Sequence, residues 1–378
     1  MPNAMTPAQA MDLFPYDADR IALARARQQA VWEGREPDRL PILIHGTLTP
    51  EQEQVPSFNL KEGFYDPEKM FLTQLRGMIA CANGGGDAIP SMRANLGCGV
   101  VPTMLGVQSL VFDDKMPWVR EHLTDEQIMR LAVPDIRPAG DIARAVDYMR
   151  LFQQWLAGRG RVYCADIQGP FDTAHIAYGD AIFYAMYDKP DLVHHLLRMS
   201  TRAIIVALEA MKAVNGERRG ESYHYNGLYM PTGGMKSSED TTMLIAPDQI
   251  EVFSLPYLEE CLNAVEGGYV HYCGKNDALF RFVMGRPCVR GVNFGNPDMH
   301  VYEMIMETCL AKGKVYYGSW PKREDENTYQ AYFKRILAPL KGVRRGLVFV
   351  CGSGLFTRKN GKPYTAPEVA ALWYDLQS

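Results

Sequence analysis

Three residues able to bind a soft metal stand at the ends of two short apolar runs. Gly268-Tyr-Val-His271-Tyr-Cys273-Gly274 and Gly346-Leu-Val-Phe-Val-Cys351-Gly-Ser-Gly354 each read as a buried strand that ends in ligand-type side chains and then glycine. His271 and Cys273 are two residues apart, so on a strand they point to the same side. Cys351 arrives from another strand end far along the chain. One imidazole and two thiolates suit zinc and leave a fourth position open for chemistry. The thiolates would also cancel the charge of the ion. The competing reading is that a cysteine in an apolar run is a small buried hydrophobe.

Polar side chains recur at the ends of the other strand-like runs. They are His45, Asp166, His224, Asn226 and Asn293. Asp166 and Gln168 follow the run Arg161–Ala165 and are candidates to orient a substrate, or else simply to shape the turn. His224 and Asn226 are candidate pocket residues, and Asn293 is a candidate substrate contact.

These runs alternate with helical stretches. Arg39–Gly46, a weak run over Asp87–Met92, Arg161–Asp166, Glu221–Asn226, Gly268–Cys273, Cys288–Asn293, Lys314–Gly318 and Leu347–Cys351 make eight strands. Helices are expected over residues 16–34, 66–83, 140–158, 172–186, 190–214, 247–265, 276–285, 298–312, 325–340 and 366–376. Asp66 followed by Pro67 is a helix start, and Gly84-Gly-Gly86 a helix stop without the Lys-Ser/Thr of a phosphate loop. The stretch 227–246 reads as a loop. Eight strands alternating with helices imply a parallel α/β sheet closed into a (β/α)8 TIM-type barrel. On this reading residues 1–38 are an N-terminal helical extension and 39–378 a single barrel domain. A long insertion or lid at about 97–140 follows strand 2. The barrel brings His271, Cys273 and Cys351 to one mouth, where catalytic groups of such barrels sit.

Composition narrows the function class. With 378 residues, 47% of them hydrophobic, the chain is long enough for a large core. A net charge of −4 with no basic stripe argues against nucleic acid as a partner. No apolar run reaches membrane-spanning length, and the start lacks the pattern of a signal peptide, so a cytoplasmic location is expected. Eight scattered cysteines fit reduced thiols better than a disulfide framework.

Several motifs then resemble the uroporphyrinogen decarboxylase superfamily: Asp166-Ile-Gln-Gly-Pro-Phe, Tyr187-Asp-Lys-Pro190 through Leu197, Glu239-Asp240 with Ala246-Pro247, and Pro256-Tyr257. The resemblance runs from about Leu40 to the end. It implies a (β/α)8 barrel and one of two activities. True decarboxylases of the superfamily carry an arginine-rich motif after the first strand; this chain has His45-Gly-Thr-Leu-Thr-Pro50 there. The other branch, cobalamin-dependent methyltransferases, binds zinc through a His-x-Cys…Cys motif that His271, Cys273 and Cys351 match. It also implies an upstream carboxylate as fourth ligand, with Glu239 first and Asp240 as the alternate.

The expected function is therefore a zinc-dependent methyltransferase that moves a methyl group between a corrinoid and a thiol or a methoxy compound. Glu239 and Asp166 are the expected catalytic groups. The chain lacks an Asp-x-His-x-x-Gly corrinoid signature, since Asp298-Met-His300 is not followed by the glycine. A separate corrinoid protein is the expected partner, and a homodimer is a family-level expectation. Two other classes stand beside this one. A cofactor-free lyase acting on a carboxylate would need cations at the mouth, such as Arg93 or Lys275. A non-catalytic barrel binding a ligand or a corrinoid protein would lack an open metal position.

Overall fold

The structure, a computed structural model, describes residues 5–133 and 136–378. The strands among them are β1 (Ile42–Leu43), β2 (Ser91–Arg93), β3 (Ser109–Leu110), β4 (Trp118–Val119), β5 (Arg161–Tyr163), β6 (Ser222–His224), β7 (Leu228–Met230), β8 (Met235–Ser238), β9 (Gly268–Tyr272), β10 (Val289–Phe294), β11 (Val315–Gly318) and β12 (Leu347–Val350). Six of them form one parallel sheet in the order β1-β12-β11-β10-β9-β8, and β2 pairs parallel with β5. The first strand lying beside the last is the mark of a sheet curling round on itself. Where the ladders are interrupted, loop bonds take over. Asp87 N–H donates to Ile42 O at 2.7 Å between β1 and the approach to β2, and Gly169 N–H donates to Ser238 O at 2.8 Å between β5 and β8. Counted round, β1, β2, β5 and β8 to β12 are the eight strands of a (β/α)8 barrel.

One expected strand is displaced. Glu221–Asn226 is not a barrel strand: β6 turns back antiparallel onto β7, with Ser222 opposite Met230 and His224 opposite Leu228. The fourth barrel strand is β8, in the stretch read as a loop. Its sequence, Met-Lys-Ser-Ser, shows no apolar alternation, yet Ser237 and Ser238 are fully buried. They tolerate burial because polar partners meet them, as where Ser237 Oγ donates to Glu239.

The helices follow from their caps. Pro67–Ala82 starts where the Asp66 carboxylate accepts from the N–H groups of Glu68 and Lys69, with Pro67 in the first turn. The expected helix 247–265 is broken into Pro247–Gln249, a π-type turn over Ile250–Ser254, and Leu255–Ala264. Pro256 explains the break, since it has no N–H to continue an α-helical ladder. The helix Ala18–Trp32 packs beside the starts of the strands. There Arg20 donates to the carbonyls of Gly86 and Ala88, and Gln28 to those of Asp87 and Gly227. The insertion after β2 contains the β3–β4 pair and the helix Asp125–Arg130, closed by a Thr124–Gln127 capping box. Among the described residues, the main hydrophobic core runs from Ala10 to Trp373, with a smaller cluster of Ala24, Ile89, Tyr163, Tyr223 and Tyr229 beside it. Among the described residues, no helix is long and apolar enough to cross a membrane.

Candidate functional site

His271 sits near the end of β9, and its alternation partner Cys273 is the first residue past the strand. Asp240 follows β8, the neighbouring strand, in which Ser238 pairs with His271. The ligand atoms of Asp240, His271 and Cys273 all lie within 4.8 Å of one another. His271 Nε2 is 3.8 Å from Cys273 Sγ and 3.8 Å from Asp240 Oδ1, and Cys273 N–H donates to Asp240 Oδ1 at 2.6 Å.

Neighbouring groups hold each member in place. Asn293, on β10, presents Oδ1 to His271 Nδ1 at 2.5 Å, while its Nδ2 donates to Tyr317 O at 2.6 Å. The second bond fixes which end of the amide faces the ring. Oδ1 only accepts, so His271 carries its proton on Nδ1 and Nε2 keeps a free lone pair toward Asp240 and Cys273. Burial lowers the pKa of His271, which favours the neutral ring a metal requires. The Asp240 loop is held by Asp172, whose carboxylate accepts the N–H groups of Asp240 and Thr241 at 2.7 and 2.8 Å. Burial, with Glu239 nearby, pushes the pKa of Asp172 upward. Gly295 packs directly on the thiol: a Cβ there would come 2.4 Å from Cys273 Sγ. Burial and Asp240 push that thiol up to about 11.

The acidic member of the cluster is Asp240, the alternate, in place of Glu239. Glu239 is 0% exposed. Its carboxylate accepts from Ser237 Oγ at 2.7 Å and Thr242 Oγ1 at 2.6 Å, with Ser254 at 3.4 Å, and lies against Gly169. Burial pushes it up to about 7 although those hydroxyls oppose the shift. It is caged apart from the cluster, for neighbouring residues after a strand point to different sides.

Cys351 stands just past β12, outside the cluster. It lines a cavity of about 670 Å³ together with His45 and Asn226, and its thiol bonds only weakly, to Gly352 O at 3.5 Å. His271 lines a neighbouring cavity of about 380 Å³. Asn226, Ser319 and Val350 line both, so Cys351 and His271 open onto connected space.

Asp166 lies in the His271 cavity, between Lys236 Nζ at 2.6 Å and Arg93 Nη1 at 3.4 Å. Burial would raise its pKa, but the two cations outweigh it and hold the carboxyl at about 2. A group so firmly ionised cannot serve as a proton donor at neutral pH. Gln168 is buried beyond β5 and does not line that cavity. His224 is tucked behind it, bonded to Ser222 Oγ at 2.9 Å and edge-on to Tyr269, in an adjoining cavity of about 50 Å³ that shares Arg93, Asp166 and Lys236 with it. Asn226 is at the hairpin tip with φ 62° and bonds to Tyr317 OH at 3.4 Å.

Lys236 and Asp172 were not legible as site residues. Lys236 is on the polar strand that no apolar pattern marks. Asp172 is the third residue of the helix Pro170–Tyr178, where an acid is ordinarily explained by the helix dipole.

Comparison with known proteins adds three findings. The family model "Uroporphyrinogen decarboxylase (URO-D)" matches residues 23–216. A solved structure of a methyltransferase from Methanosarcina mazei superposes with a TM-score of 0.60 at 14% sequence identity, covering 93% of this chain and 98% of the other. No curated protein sequence matches significantly.

Proposed function

The chain belongs to the uroporphyrinogen decarboxylase (URO-D) family, and within that family we propose that it is a zinc-dependent methyltransferase. The reaction class is methyl exchange between a small molecule and a corrinoid carried by a separate protein. The observation that carries this reading is the free lone pair of His271 Nε2, fixed by Asn293 and aimed at Cys273 and Asp240. A histidine, a thiol and a carboxylate with one side open to a cavity form a donor set suited to catalytic zinc. Asp240, His271 and Cys273 would hold the ion, with Cys351 as a further thiolate from the connected space. Zinc there supplies a Lewis acid, able to polarise an ether oxygen or to keep a bound thiol ionised at neutral pH. The remaining work belongs to the chain. Asn293 sets the histidine tautomer, Asp172 holds the Asp240 loop, and the barrel wall places the substrate beside the cluster. The name of the Methanosarcina mazei neighbour supports the same reading.

A second reading is a metal-free lyase acting on a carboxylate, and the presence of Arg93 and Lys236 in the cavity favours it. One experiment separates the two. Protein purified without chelator is assayed for metal, and then for methyl transfer with methylcobalamin and thiols or with cob(I)alamin and methoxy compounds. Bound zinc with methyl transfer upholds the methyltransferase. Protein that takes up no zinc on reconstitution sinks it in favour of the lyase.

A further inference from the structure

We infer that Arg93 and Lys236 form a carboxylate-binding site in the barrel lumen, and that its ligand is a small aromatic monoanion. The inference rests on the proposed function for what happens at the other end of that molecule, but not for the anion site itself.

The first argument is charge. Arg93 and Lys236 have side-chain exposures of only 20% and 21%, and Asp166 is the carboxylate between them. All three line one cavity, so two cations face one anion there. A largely buried charge without a counter-charge is costly, and a bound anion removes that cost.

The second argument is unused donors. The Lys236 ammonium has three N–H groups and gives one to Asp166. The Arg93 guanidinium has five, directed at Asp166 and at Asn95 Oδ1, 3.2 Å away. Donors remain on both for the two oxygens of a carboxylate.

The third is depth. Along β8, Lys236 pairs with Tyr269 and Ser238 with His271. The Lys236 backbone is therefore two residues below the level of the cluster, roughly 7 Å at about 3.3 Å per residue. A benzene ring carrying its carboxylate and its oxygen substituent at opposite positions spans such a gap. Tyr225, Tyr269, Phe294 and Tyr317 supply aromatic walls, with Tyr269 and Tyr317 edge to face at 5.5 Å. Asp166 is then a positioning residue, which aims both cations and tempers their charge.

The test is equilibrium binding of 4-methoxybenzoate and of its neutral counterpart methoxybenzene to the full chain, with zinc content measured on the same samples. The wild type is expected to prefer the anion by about tenfold or more, the scale of a charge-assisted bond. Lys236→Met should abolish that preference, whereas Asp166→Asn should strengthen it by leaving both cations unopposed. These opposite signs separate a lost site from a merely damaged fold. Equal binding of the two probes by wild type, or an unchanged preference in Lys236→Met, overturns the inference even if zinc is bound. Anion preference with these responses but no zinc upholds the site while sinking the methyltransferase reading.

Discussion

Asn293 and His271 occupy paired positions on adjacent parallel strands, and the amide oxygen of one lies 2.5 Å from the ring nitrogen of the other. Backbone register thus sets the protonation pattern of the histidine. Loss of the acceptor in Asn293→Ala should weaken zinc binding by about 10- to 100-fold, the usual effect of removing such a partner. Asn293→Asp, which keeps an acceptor, should recover much of it. Competition with a chromogenic chelator measures both, and wild-type affinity in Asn293→Ala would refute the role.

Gly295 offers a change that leaves every donor in place. In Gly295→Ala the new methyl group meets the Cys273 thiol. The loop must shift, at a cost of about 1–3 kcal/mol of the kind seen on overpacking. Zinc affinity should fall while the fold, followed by circular dichroism, persists. Undiminished affinity would show that Cys273 has room the structure does not give it.

Cys351 tests the extent of the ligand set. Cys273→Ser should lose zinc under dialysis, because it removes a donor from the cluster. Cys351→Ser should bind with about tenfold weaker affinity or worse, as a further thiolate is lost. If Cys351→Ser equals wild type, the set ends with Asp240, His271 and Cys273.

Acid stability should report on Asp166. Its pKa is lowered from 3.8 to about 2, so the folded state binds fewer protons than the unfolded chain across that interval. The stabilisation is present above about pH 4 and disappears as the pH falls through 2. A shift of that size corresponds to about 2 kcal/mol. Asp166→Asn should therefore be less stable at pH 7 but lose less than wild type between pH 4 and 2, as urea titrations would read. Parallel pH profiles for the two proteins would contradict the ion trio.

Much of this was legible in the chain itself, for physical reasons that differ by element. Gly268–Cys273 and Leu347–Cys351 stand out because parallel strands covered on both faces need continuous apolar runs, and polar residues show clearly at their ends. Asp66-Pro67 announces a helix through local capping alone. β8 gives no such signal. Met235-Lys-Ser-Ser238 is buried through partners remote in the chain, Glu239's cage and the backbone of β9, which composition does not display. The same blindness applies to the acid beside His271 and Cys273, which is Asp240 where Glu239 was the first expectation. Glu239 and Asp240 are equivalent as letters; three hydroxyls close round Glu239, whereas Asp240 accepts from the Cys273 N–H beside His271. The hairpin of β6 and β7 was mistaken for a barrel strand because Glu221–Asn226 has the right residues but turns back at Asn226, in a left-handed conformation.

That hairpin sets Tyr225 and Asn226 into the lumen, where Tyr317 OH donates to Tyr225 O at 2.8 Å. It belongs to none of the eight strands and contributes nothing to the cluster of Asp240, His271 and Cys273. One wall of the cavity thus comes from a ribbon that lies apart from the cluster. Relatives could retune which molecules fit by reshaping this short ribbon alone, lengthening or shortening the ruler without touching the blade.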